Sequence, residues 1–153
     1  MREETSMGVI DFLKNVGASI FGKGEDEATS LTNLINTTLP GQITNLRVEF
    51  NKGVVDLYGQ ADTIAAKEKA VLLAGNIKGV EKVNDVYLTA PEAKPEDETV
   101  YYEVKPGDSL SKIAKHFYGN AMKYPVIFEA NREVIKDPNL IYPGQKLRIP
   151  KII

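Results

Sequence analysis

The chain has no cysteine and a single histidine, His116. The first absence excludes disulfides and thiolate metal sites. It fits a reducing compartment, although envelope proteins also lack cysteine in many cases. One histidine excludes a multi-histidine metal site, and a histidine-dependent triad would have to use His116. No stretch reaches the run of about 18 apolar residues that a membrane-spanning helix needs. Positive charge is not in excess either. Nineteen Lys and Arg stand against 21 Asp and Glu, for a net charge of -2. That balance gives no electrostatic footprint for nucleic acid. Asp11 and Lys14 interrupt the early apolar residues, unlike the core of a secretory signal. No cysteine is present to carry a bacterial lipid anchor. The expected location is the cytoplasm, and the expected state is a monomer, begun at Met1 or at Met7.

What is present is 153 residues with 42% hydrophobic and 26% charged side chains, enough for one ordinary domain or two small ones. In residues 9–21 the apolar Val9, Phe12, Leu13, Val16 and Ile20 recur at helical spacing, which predicts an amphipathic helix ended by Gly22 and Gly24. A second helix is predicted over residues 26–39, stopped by Pro40-Gly41. Leu46, Val48 and Phe50 alternate with polar neighbours. Asn51-Lys52-Gly53 supplies a tight turn, and Val55 and Leu57 continue the alternation on the way back. Asp62 is expected to cap a helix over residues 63–76. A strand over 81–89 follows, with Val83, Val86 and Leu88 as its apolar positions.

Residues 90–99 hold two prolines and four acids and read as a flexible linker. Beyond it come a strand over 101–105, a helix over 109–118 capped by Asp108, a helix begun at Pro125, and a closing strand over 146–150. The expectation is an α+β chain in four parts. Residues 1–25 are the amphipathic helix and a turn, and 26–90 an αββαβ unit. Residues 91–99 are the linker, and 100–153 a βααβ unit.

The second unit resembles a LysM domain. The resemblance rests on residues 102–114, from Tyr102-Glu103-Val104-Lys105-Pro106-Gly107-Asp108-Ser109-Leu110 onward, on Tyr118-Gly119, on Ile127-Phe128-Glu129-Ala130-Asn131, and on residues 141–150. The first unit is similar to a BON domain through Val54-Val55-Asp56-Leu57-Tyr58-Gly59 and Gly79-Val80-Glu81-Lys82-Val83. Together, preceded by the short apolar segment, the two resemble the bacterial cytoplasmic potassium-binding proteins of BON plus LysM build.

Potassium has low charge density and is well served by neutral carbonyl oxygens in place of its water shell. Helix C-termini supply such oxygens. The first unit offers two candidate places, the break at residues 13–17 and the stretch Gly75-Asn76-Ile77-Lys78-Gly79-Val80. On the residues alone, the latter reads first as a helix stop and a turn. What the resemblance implies is a potassium site of main-chain oxygens from Leu13, Val16, Gly75, Ile77 and Val80, with the first helix as a lid ordered by the ion.

The LysM resemblance implies a second candidate. This is a groove for N-acetylglucosamine polymers between Gly107-Asp108-Ser109-Leu110 and Asn139-Leu140-Ile141, or else a contact for a protein partner. On the residues alone, Asp108 reads as a cap, Leu110 as core and Asn139 as part of a turn. A third reading is an interaction scaffold with no small ligand. No calcium loop of the Asp-x-Asp-x-Asp-Gly kind occurs, and neither an organic cofactor nor an enzymatic activity is expected.

Overall fold

The N-terminal segment does not form the expected helix. In the computed structural model, which describes residues 3–4 (backbone only), 8–22, 24–92, 94 and 98–151, it runs as two short strands, Glu3–Glu4 (β1) and Val9–Asp11 (β2). Met7, residues 93 and 95–97 of the expected linker, and residues 152–153 lie outside the described residues. The apolar residues here satisfy two periods at once. The period of two wins, because Ile10 and Phe12 turn inward while Val9 and Asp11 stay exposed. Gly17, at φ +109°, adopts a backbone that a helix cannot contain.

Asp26 opens the first helix, Glu27–Thr38 (α1), by accepting from the Thr29 amide at 2.7 Å. Leu31 and Ile35 point from it into the core. Strands Ile43–Asn51 (β3) and Val54–Ala61 (β4) pair antiparallel. Lys52 and Gly53, both at positive φ, form the two-residue turn that matches strand twist. The helix Ile64–Gly75 (α2) is capped by Thr63, not Asp62, since the Thr63 hydroxyl accepts from the Ala66 amide at 3.0 Å. The strand Lys82–Thr89 (β5) lies parallel to β4, and β2 pairs with its other edge, giving the order β2-β5-β4-β3. Alternation from Val83 sets Val86 outward, 58% exposed, and a register shift between Asp56 and Tyr58 returns Leu88 to the core. Asp85 is buried in its stead and accepts from the Gly8 amide at 3.1 Å.

The second unit is built on the antiparallel strands Thr99–Glu103 (β6) and Lys146–Pro150 (β7), packed by the helices Leu110–Tyr118 (α3) and Tyr124–Ala130 (α4). Ser109, not Asp108, caps α3. The Asp108 carboxylate is held instead by the Lys105 amide at 2.9 Å and the Tyr102 hydroxyl. Asn131 is fully buried and pairs its side-chain amide with both the N–H and C=O of Arg148, each at 2.8 Å. That pairing pins the end of α4 to β7. β1 adds to the outer edge of β6, for the order β1-β6-β7.

The segment before α1 therefore belongs to both sheets. The two units also share an interface. Tyr101 of β6 sits in the core of the first unit, and α2 packs against β7 as well as against its own sheet. This accounts for a helix buried almost all round, at Ala66, Glu68 and residues 70–75.

Candidate functional site

The two stretches singled out for carbonyl oxygens, some sixty positions apart, meet at the C-terminal end of α2. Ala18 bridges Ile77 in parallel. The Ala18 amide donates to the Asn76 carbonyl at 3.1 Å, the Lys78 amide to Ala18 at 2.9 Å, and the Gly79 amide to Lys14 at 2.7 Å. Glycine permits the approach. A Cβ on Gly17 would lie 2.3 Å from the Asn76 oxygen, and one on Gly75 would lie 2.0 Å from the Phe12 ring.

The five expected donors differ in how their carbonyls are used. Outside the regular helix and strand bonding, no backbone amide among the described residues donates to Val16, Gly75 or Val80. The Leu13 carbonyl accepts from Val16 at a long 3.3 Å, and that of Ile77 from Val80 at 3.0 Å. A carbonyl oxygen has two lone pairs, so both retain acceptor capacity. The end of α2 also turns the negative pole of its dipole toward this place. Oxygens of this kind suit a weakly hydrated monovalent cation. Among the described residues no group of three or more His, Asp or Glu side chains is set to hold a metal ion.

The second unit closes over the same junction. The Asn76 amide donates to the Lys146 carbonyl at 2.8 Å, and the Lys146 N–H donates back to Asn76 Oδ1 at 2.8 Å. The buried Lys146 ammonium donates to the Asp11 carbonyl and lies 5.1 Å from the Phe12 ring centre. A Cβ on Gly144 would meet the Leu13 and Val16 side chains at 2.8 and 3.0 Å. Sequence reasoning missed Asn76 and Lys146 as interface residues.

Beside the junction is a cavity of about 430 Å³, lined by residues of both units including Gly17, Asn76, Ile77, Glu133 and Lys136. Glu133 Oε1 is buried and makes no hydrogen bond among the described residues. Burial pushes the Glu133 carboxyl above its ordinary value, against the opposing pull of its own backbone amide and of Lys69, Arg148 and Lys136. A folded-state pKa above the unfolded one means that the ionised group costs stability. That cost is present above the folded pKa, shrinks as pH falls through it, and is gone below about 4.5, the ordinary value. The stability difference between Glu133→Gln and the parent is therefore expected to narrow from pH 7 to pH 4.5, as urea midpoints would measure.

In the LysM-like loops Gly107 and Ser109 are exposed, and Asp108 is spent on the bonds above. Leu110 is buried in the second core. Asn139 and Leu140 form a turn on Asp137, Leu140 is 68% exposed, and Ile141 packs on the second core. No hydrogen bond among the described residues joins the two loops. His116 is exposed on α3, edge-on to Phe117.

Comparison with known proteins identifies a BON domain over residues 27–89 and a LysM domain over 102–150. The potassium binding protein Kbp of Escherichia coli O6:H1 is 36% identical over 151 residues, spanning 95% of this chain and 99% of that protein. The chain belongs to the Kbp family. An uncharacterized protein of Deinococcus radiodurans is 44% identical over 104 residues, 63% of this chain and 40% of the other. The uncharacterized protein YqbP of Bacillus subtilis is 39% identical over 59 residues, 33% of this chain and 27% of the other. Within the Kbp frame, Leu13 and Val16 lie ahead of both domain matches, whereas Gly75, Ile77 and Val80 lie inside the BON match. No helix among the described residues is long and apolar enough to cross a membrane.

Proposed function

We propose that the chain is a cytoplasmic potassium-binding protein without enzymatic activity, a sensor or buffer that tightens as it takes up the ion. Main-chain oxygens of Leu13, Val16, Gly75, Ile77 and Val80 hold the potassium. The observation that carries this reading is the convergence of residues 13–18 and 75–80, where the carbonyls of Val16, Gly75 and Val80 receive no amide from the described residues outside the regular bonding. The 36% identity to a protein named for potassium binding supports it.

Tightening follows from where the oxygens sit. The Leu13 and Val16 side chains fill the space that a Cβ on Gly144 of the LysM domain would need, and Asn76 is bonded to Lys146. An ion bound only by the assembled junction stabilises the docked arrangement by mass action. The expected lid is then the strand and loop of residues 8–21, not a helix.

Titration of the potassium-free protein with KCl in a calorimeter is expected to give saturable heat, and NaCl at matched ionic strength none. Absence of saturable heat with both salts would overturn the reading. Retention on insoluble peptidoglycan would then direct attention to Gly107–Leu110 and Asn139–Ile141.

A further inference from the structure

The cavity between the domains has two unlike walls. Gly17, Asn76 and Ile77 form one, at the carbonyl junction, and Glu133, Lys136 and Tyr142 belong to the other. The charges around Glu133 leave it poorly balanced. Arg148 comes from β7, but its Nε lies 3.7 Å from Glu68 Oε1 of α2, and its Nε and NH1 make no hydrogen bond. Lys69 and Lys136 act on Glu133 only at a distance, its own backbone amide offsets part of the burial, and no donor among the described residues reaches Oε1. A buried acceptor without a donor is costly, and more so when it carries charge. A cation entering the shared cavity would relieve that cost through its field, with no need for a direct bond.

We infer that Glu133 is the counter-charge of the potassium site, a positioning residue on the LysM domain that strengthens cation binding across the shared cavity without ligating the ion. The inference rests on the potassium reading above, and it gives the LysM domain a share in affinity as well as in packing.

The test uses the full chain, with potassium affinity from KCl titration and melting temperature in NaCl as two separate readouts. Glu133→Gln keeps the side chain's shape and removes its charge. It is expected to weaken potassium binding by about three- to tenfold, while the melting temperature in NaCl is unchanged or higher, because a desolvated charge has gone. Lys136→Gln removes a like charge from the same cavity and is expected to tighten binding, by up to about twofold. Lys136 is exposed, so this variant keeps the test open if Glu133→Gln fails to fold. Equal affinity of Glu133→Gln and the parent would overturn the inference and leave the potassium reading standing. A loss of affinity accompanied by a lower melting temperature in NaCl would also overturn it, since that marks a packing role. A parent protein that binds no potassium overturns both.

Discussion

Gly17→Ala is expected to lower potassium affinity by more than about tenfold and to destabilise the fold even without the ion. Two effects act together. The backbone at φ +109° is one that a side chain rarely adopts, at a cost of about 1–3 kcal/mol. The added Cβ would also lie 2.3 Å from the Asn76 oxygen and 2.7 Å from the Asn76 carbonyl carbon. Backbone on both sides cannot yield as a side-chain tip can, so the loop must withdraw from α2. The bonds from Ala18 to Asn76 and from Lys78 to Ala18 open with it, and Val16 moves away from Gly75 and Val80. Paired KCl titrations and urea denaturations measure the two effects. Affinity within twofold of the parent would mean that the loop does not supply ligands.

Asn76→Ala carries the second large effect, on stability. The Asn76 side chain pairs with the N–H and C=O of Lys146 as a neighbouring strand would, at a site where both residues are buried. Truncation leaves two buried backbone groups without partners, at about 1–3 kcal/mol each. A total loss of about 2–6 kcal/mol is expected, which lowers the melting temperature of a chain this size by about 4–24 °C. With the clamp gone, thermal unfolding is expected to broaden or split, as the two domains cease to melt as one. A single transition at the parent's temperature would place the coupling elsewhere, for instance in the buried Glu68–Arg148 pair.

Local signals carried most of the secondary structure. Asn51-Lys52-Gly53 reads directly as a hairpin because its turn demands positive φ, and Gly119 closes α3 for the same kind of reason. The strand over 146–150 and the helix near Pro125 were equally legible. Errors arose where local chemistry had a distant competitor. Asp108 is a good cap, yet Tyr102 and Lys105 claim its carboxylate, and the cap moves one place to Ser109. The period in residues 9–13 was ambiguous, and β5 decided it by offering an unpaired edge.

The meeting of the two carbonyl stretches could not be read from side chains, because backbone groups make it. The docking of the two domains left one trace that sequence could have shown. Ala70-Val71-Leu72-Leu73-Ala74 gives α2 no polar face over its last turns, the mark of a helix covered on more than one side. Asn76 and Lys146 gave no such signal, since each acts through contacts that its identity does not announce.

The central claim is that potassium binds at the junction of residues 13–18 and 75–80. The most direct test is the carbonyl ¹³C spectrum of the labelled protein, titrated with KCl and, separately, with NaCl at the same ionic strength. The account predicts saturable shifts with potassium at Leu13, Val16, Gly75, Ile77 and Val80, larger than elsewhere in the chain and absent with sodium. Saturable shifts confined to the LysM loops, or equal responses to both salts at all five carbonyls, would contradict it.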